Sequence, residues 1–312
     1  MTASPTGTSS NECVLCSAKL DRPALDGIDR LYDVTGTFQI AICPNCGAGN
    51  TVPVVPTEDL SLFYPSEYGA YRDAQSRLAD GAFKAYHLWR DVLSRRQPPL
   101  STILALPAGT LLDVGSGKGE PTAMLVKRGW TVVGVEPSRE GCTIARRRGI
   151  DAREGVLETV ELSDRAPFDA VLFHHSLEHV SDPLNDLRRA FDLLRAGGTV
   201  FVSVPNFDSW QRARFGTYWY HLDLPRHRTH FTPVALGRAL EAVGFSRAKL
   251  STQSTLQSLP ITLQSAALGR YRLRGAARRA AIGFYALLYP LTLGIDRLGG
   301  GGDVLTAVAR KQ

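Results

Sequence analysis

From residue 109 onward, apolar and polar positions fall into two alternating patterns. Short, almost unbroken apolar runs recur at Thr110–Val114, Thr131–Glu136, Phe168–Phe173 and Thr199–Val204. Their length and content predict strands buried on both faces. A shorter stretch at Asp151–Arg153 reads as a further strand between the second and the fourth. Amphipathic stretches separate them: Pro121–Arg128, the basic-faced Arg139–Arg148, and one near Asp186–Leu194 that Gly197-Gly198 closes. This alternation predicts a parallel sheet with helices on both faces. Beyond it, Pro233–Val243 reads as a helix stopped by Gly244, Phe245–Ser251 as a strand and Val304–Arg310 as the last strand. The roughly fifty residues between those strands exceed any hairpin loop and predict a helical insertion, over about residues 252–303.

Upstream the pattern is weaker. Residues 1–11 are small and polar, which predicts a disordered tail without the apolar segment of a secretory leader. Residues 12–55 hold two cysteine pairs and end at the proline-rich Pro53–Pro56. Residues 56–108 read as a linker or cap. They contain the aromatic Leu60–Tyr71, a helical stretch at Arg77–Arg96 and a break at Pro98-Pro99. The remainder, 109–312, is the α/β domain.

Composition adds three constraints. An apolar content of 44% allows a sizeable core. No run supplies the ~20 apolar residues of a spanning helix, which fits a cytoplasmic protein. Net charge is +6, and 30 of 36 basic residues are arginine. That balance suits an anionic partner, such as a phosphate-bearing acceptor or a membrane surface, and equally an arginine-rich codon bias.

Four of the five cysteines form two C-x2-C pairs, Cys13/Cys16 and Cys43/Cys46, while Cys142 stands alone. In a chain without a leader, such pairs read as metal ligands rather than disulfides. Two pairs turning four thiolates onto one ion give a closed tetrahedral zinc site, structural rather than catalytic. A zinc ribbon raises nucleic-acid binding as a rival function. Residues 17–42 carry acids (Asp21, Asp26, Asp29, Asp33) and no basic cluster, so that footprint is missing.

The richest chemistry lies in LLDVGSGKG, Leu111–Gly119. A strand running into a glycine-rich turn and then a helix is a cofactor cradle. A P-loop would need glycine where Leu112 stands, and Glu120 occupies the place of the third glycine of a dinucleotide turn. What is met is D-x-G-x-G-x-G, through Asp113, Gly115, Gly117 and Gly119, with Ser116 between. An acid here would repel a diphosphate but suits the ammonium and sulfonium of S-adenosylmethionine. Glu136, ending the second strand before Pro137, is placed to accept from ribose hydroxyls.

These motifs, with FDAVLFHHSLEHVSDP (Phe168–Pro183) and the later GG…VSVPN (Gly197–Asn206), resemble class I S-adenosylmethionine-dependent methyltransferases over about residues 105–250 and the last strand. The resemblance implies a Rossmann-like sheet of seven strands, order 3-2-1-4-5-7-6, with the seventh antiparallel. It also implies that His174 lies near the methionine end of the cofactor and Gly155-Val156 near the adenine. His175-x-x-Glu178-His179 fits an inverted zinc-peptidase motif, but it starts at a strand end rather than within a helix. A related quinone O-methyltransferase group carries acids and a histidine here, so a divalent metal on His175, Glu178 and His179 stays open.

The acceptor segment is Tyr218–Pro233, beyond the carboxyl edge of the sheet. It offers His221, His227 and His230, in that order, as candidate bases for deprotonating a hydroxyl. Arg226 and Arg228 are candidate phosphate contacts. In the insertion, the arginines 270, 272, 274, 278 and 279 followed by Ala280–Ile295 suit either a core-facing helix pair or an interfacial segment on anionic lipid. The cysteine module with LFYPSEYGAY resembles the N-terminal part of bacterial methyltransferases of sugars and secondary metabolites, including sugar C-methyltransferases. Those carry a further C-terminal domain without counterpart in this sequence. The expectation is therefore methylation of a hydroxyl on a sugar, sugar-nucleotide or glycolipid. The alternatives are a quinone or lipid O-methyltransferase at the inner membrane face, a C-methyltransferase, and a cofactor- or nucleic-acid-binding protein without turnover.

Overall fold

A computed structural model describes residues 11–64 and 98–312, apart from 21, 22, 33, 57, 58, 270–290, 297 and 300. The expected helix at Arg77–Arg96, the arginine cluster and most of Ala280–Ile295 lie outside the described residues.

Three short strands form the N-terminal module: β1 (Leu25–Gly27), β2 (Phe38–Ile42) and β3 (Gly49–Val52). After α1 (Leu100–Leu104), the main sheet begins with β4 (Thr110–Val114), α2 (Ala123–Val126), β5 (Thr131–Glu136), α3 (Arg139–Arg147) and β6 (Asp151–Glu154). It continues with β7 (Phe168–His174), α4 (Pro183–Leu193), β8 (Leu194–Pro205) and α5 (Trp210–Phe215). The two-residue β9 (Thr229–His230) precedes α6 (Pro233–Val243), β10 (Lys249–Gln253), α7 (Ser258–Leu268) and β11 (Val304–Arg310).

The seven-stranded sheet runs β6-β5-β4-β7-β8-β11-β10. Its pairs are parallel from β6 to β8, while β11 is antiparallel to both β8 and β10. That is the expected order. Local signals account for the helix starts. The Asp182 carboxylate accepts from Asn185 N ahead of Pro183, and the Thr232 hydroxyl accepts from Ala235 N ahead of Pro233. Gly244, at φ +107°, ends α6.

Two boundaries differ from expectation. Gly197-Gly198 does not close α4 but lies inside β8, where Phe168 faces Leu194 and Ala170 faces Thr199. The glycines form a bulge in the ladder. Phe245 contributes only a bridge to Lys311, and the strand proper starts at Lys249.

The module is not a separate body. Its sheet extends through β3 to β9, with Gly49 opposite His230 and Asn50 opposite Thr229. The core on one face of the main sheet, including Leu112, Phe173 and Leu236, runs on into Cys13, Leu15, Cys43 and Cys46. A second cluster on the opposite face joins Leu111, Leu125, Trp130 and Cys142. A third joins Phe38 and Ile40 of the module to Phe207, Trp219 and Leu224. Hydrophobic burial therefore supports the module to a degree the sequence did not suggest.

Candidate functional site

The glycine turn leaves β4 at the carboxyl edge of the sheet. Gly117 sits at φ +54°, and a Cβ there would project into open space. A Cβ at Gly119, φ +69°, would run into Ile150. The first position keeps the cradle open, and the second lets the turn pack down on the sheet. Ser116 N and Gly115 N both donate to Val135 O. Glu136 Oε2 accepts from Gly117 N and Oε1 from Ser138 N, each at 2.8 Å, so this carboxylate braces the turn. Burial raises its pKa above the ordinary carboxylate value.

Asp113 is buried and accepts from Thr122 Oγ1 at 2.7 Å. Burial pushes its carboxyl up to about 7; the Thr122 bond works against this and the Glu136 charge adds to it. The turn is thus a pre-shaped acidic cradle awaiting a cation. These features fit S-adenosylmethionine: an open glycine cradle, a costly buried acid and an acid at the end of β5.

Turn and acceptor segment share one cavity of about 410 Å³. Asp113, Gly115, Ser116, Gly117 and Lys118 line one side, and His174, His175, Glu178 and His179 line the wall after β7. Tyr220, His221, Asp223 and His227 come from the acceptor segment, Thr255 and Gln257 from the start of the insertion, and Leu31 from the cysteine module. Of the other expected cofactor contacts, Gly119 in the turn, Glu136 and Pro137 at the end of β5 and Gly155-Val156 after β6 lie at the same sheet edge but do not line this cavity. Burial pushes His174 down to about 3, so it faces the cavity neutral.

The three candidate bases separate. His221 lines the cavity, and its Nε2 lies 2.7 Å from Oδ2 of Asp303, a fully buried acid. Asp303 is fixed in turn by Thr255, whose N–H and hydroxyl donate to it at 2.8 and 2.6 Å. This pairing commits Nε2–H and leaves Nδ1 of His221 to take a proton. His227 also lines the cavity, but burial pushes it down to about 4, a weak base. His230 is a correction. It lies in β9 with Nε2 3.0 Å from Thr51 Oγ1 and its ring beside Phe207, away from the cavity lining. Pairing of β9 with β3 turns it toward the module.

The two arginines expected to meet a phosphate are also corrected. Arg226 is fully buried and clasped by Asp29 and Asp223. Arg228 donates to Ser181 Oγ and to the Val55 carbonyl.

Two sets of side chains could hold a metal. The four cysteine sulfurs lie within 4.8 Å of one another, with Cys13–Cys46 at 3.7 Å and Cys16–Cys43 at 3.5 Å. Four thiolates about 2.3 Å from one zinc ion would stand about 3.8 Å apart, so the cluster fits, whereas a disulfide would need about 2.05 Å. Burial raises Cys13 and Cys46, a cost that a bound cation would remove. Asn50 Nδ2 lies 3.8 Å from Cys13 Sγ as an outer support.

The second set is Glu178, His179 and His227. Glu178 is 1% exposed, and neither carboxylate oxygen has a hydrogen-bond partner among the described residues. Burial opposes its ionisation, but His175, His179 and His227 outweigh it and hold the group at about 2. His175 Nδ1 is the ring nitrogen nearest that carboxylate, at 3.5 Å from Oε1. Nδ1 of His179 lies 3.1 Å from Arg226 O and 3.2 Å from the Tyr64 hydroxyl, and Nδ1 of His227 lies 2.9 Å from His221 O. A carbonyl only accepts, so each ring carries its hydrogen on Nδ1, shared in His179 with the Tyr64 hydroxyl oxygen, and both Nε2 lone pairs remain. His175 itself has φ +54°, rare for a side chain this large.

Asp303, Asp29, Leu31 and Thr255 were not singled out from sequence. Only Asp303 had a local signal, a lone acid between a glycine run and the last strand.

Residues 83–249, more than half of the chain, match a family model described as a methyltransferase domain. The chain is similar to a ubiquinone biosynthesis O-methyltransferase of Xanthomonas campestris pv. campestris, 31% identical over 159 residues, or 48% of this chain and 65% of the relative. A protein of the same description from Aliivibrio fischeri is 33% identical over 150 residues, covering 46% of this chain and 63% of its own. The chain thus spans less than two thirds of the length of these curated relatives. Among solved structures, the Burkholderia thailandensis 1,6-didemethyltoxoflavin-N1-methyltransferase, with 1,6-didemethyltoxoflavin and S-adenosylhomocysteine bound, aligns over 93% of this chain and 100% of its own. Its TM-score is 0.46 at 19% identity. The sheet order, the turn and the family match agree: the chain belongs to the methyltransferase-domain family, in its class I, S-adenosylmethionine-dependent form.

Proposed function

We propose that the protein transfers a methyl group from S-adenosylmethionine to a hydroxyl of a small-molecule acceptor. The observation that carries this is the His221–Asp303 pair on the wall of the cavity that the glycine turn also lines. The cofactor supplies, when bound, an electrophilic methyl on a sulfonium. Asp113 would face its ammonium, Glu136 its ribose and the neutral His174 its methionine end. Asp303 holds His221 so that Nδ1 takes the acceptor proton as the oxygen attacks. The site otherwise works by holding the acceptor oxygen in line with the methyl.

The acceptor's chemistry follows from the wall opposite the turn. Glu178 and the two Nε2 lone pairs of His179 and His227 all accept hydrogen bonds, and the nearby arginines are engaged in the fold. Such a wall favours a donor-rich, non-phosphorylated acceptor. Curated relatives named as ubiquinone biosynthesis O-methyltransferases support a ring hydroxyl of the quinone-precursor kind over the sugar expected from sequence. No helix among the described residues is long and apolar enough to cross a membrane. In the N-terminal module, Cys13, Cys16, Cys43 and Cys46 would hold a structural zinc ion.

Incubating wild type, His221→Ala and Asp303→Asn with methyl-labelled cofactor and quinone-precursor phenols or sugars tests the reading. Labelled phenol ethers from wild type, with much slower transfer by both variants, are expected. Equal rates for all three proteins would remove the His221–Asp303 assignment.

A further inference from the structure

The loop after β1 carries Asp29 and Leu31, and Leu31 lines the cavity. Asp29 is buried, and its Oδ1 accepts from Leu31 N and Tyr32 N at 3.0 Å each. The same carboxylate takes a two-pronged contact from Arg226, with Nη2 to Oδ1 at 2.6 Å and Nη1 to Oδ2 at 2.9 Å. The remaining N–H groups of that guanidinium go to Asp223 Oδ1, from Nε at 3.0 Å and Nη2 at 2.6 Å, and to Phe63 O at 2.8 Å. All five donors are used, the condition under which a buried pair of charges is tolerated.

What the guanidinium holds in place matters to the site. The Arg226 carbonyl takes Nδ1–H of His179 at 3.1 Å. The next two residues after His227, Arg228 and Thr229, donate their backbone N–H groups to Glu178 O. Around the same loop, Arg30 donates to Thr217 O and stacks over Tyr218, and Tyr32 lies beneath Arg226. The module therefore grips the acceptor segment through Asp29, Arg30 and Tyr32.

We propose that the cysteine module forms a working wall of the methyl-transfer pocket and that Asp29 is a positioning residue. Through the Arg226 guanidinium it fixes the carbonyl that selects the Nδ1–H form of His179, keeping Nε2 of His179 toward the cavity beside Glu178. This deepens the methyl-transfer reading, and only its activity arm rests on that reading.

Asp29→Asn leaves a buried guanidinium short of a partner and can unfold the chain. The double variant Asp29→Leu/Arg226→Met removes both members of the buried pair together, and Asp223, which also loses the guanidinium, keeps an edge on the cavity where water can reach its carboxylate. Long-range proton–nitrogen spectra of imidazole-labelled protein read the tautomer of His179. Wild type should show one Nδ1–H form, and the folded double variant a mixture. Calorimetry should give S-adenosylhomocysteine affinities within twofold of each other, and transfer by the double variant should fall at least tenfold. A folded double variant that keeps His179 wholly in the Nδ1–H form overturns the proposal, because a merely structural pair would behave so. Failure of wild type to bind S-adenosylhomocysteine would sink the methyl-transfer reading instead, with the spectra still deciding the role of Asp29.

Discussion

Replacing Asp113 by asparagine separates what the cradle costs the fold from what it gives the ligand. The Asp113→Asn side chain would keep the Thr122 hydrogen bond through its carbonyl oxygen, so shape and packing are conserved. The wild-type carboxyl ionises in the unfolded chain at the ordinary value of 3.8 and in the fold only at about 7, because it is buried. A raised acid binds its proton more tightly when folded, so its penalty is absent below 3.8 and complete above 7. That displacement corresponds to roughly 4 kcal/mol at pH 8. Denaturant unfolding without cofactor should show the variant more stable than wild type at pH 8 by several kcal/mol. The difference should shrink toward zero near pH 4. Taking the difference cancels the other titrating groups, including the buried histidines. Affinity for S-adenosylhomocysteine should move the opposite way. Loss of one charged hydrogen bond, worth ~1.5–3 kcal/mol, weakens binding about tenfold to a hundredfold at pH 8. Equal pH profiles of stability for the two proteins would refute the burial argument, and equal affinities would remove Asp113 from the ligand site.

His221→Ala and Asp303→Asn should each slow transfer by about 10²–10⁴-fold, the usual worth of a general base, with S-adenosylhomocysteine affinity unchanged in calorimetry. Cys43→Ser should abolish the single bound zinc in elemental analysis and lower the thermal midpoint; zinc still bound one-to-one would refute the four-cysteine site. His174, His227 and His230, held near 3, 4 and 3 by burial, are neutral in the fold but protonate at the ordinary 6.5 when unfolded. Their stability is complete above pH 6.5 and lost as pH falls, by roughly 2 kcal/mol each at pH 5. Because the raised Asp113 works in the opposite direction over the same range, the check is the difference between proteins: between pH 7 and 5 urea titrations should show wild type losing about 2 kcal/mol more than His230→Gln.

The parts legible in the sequence are those set by local chemistry. LLDVGSGKG announces itself because one tight turn needs its glycines and its acid within a few residues. The strands β4, β5, β7 and β11 read correctly because burial on both faces leaves unbroken apolar runs. The acceptor wall was legible only as a segment. His221, His227 and His230 have the same side chain within ten positions, and only the pairing of β9 with β3 decides that His230 faces the module. Arg226 and Arg228 looked alike as phosphate contacts, yet Asp29, far upstream, claims the first. Asp303 becomes a partner of His221 only when β11 inserts beside β8. Each missed residue acts across a long separation, where periodicity carries no signal.

The seam between β3 and β9 also bears on how the chain is made. During synthesis the cysteine module emerges well before the segment that completes its sheet. Until Thr229 and His230 arrive, the edge of β3 presents unpaired N–H and C=O groups, a template for another chain. An ion held early by the four cysteines would keep these short strands in register through that interval.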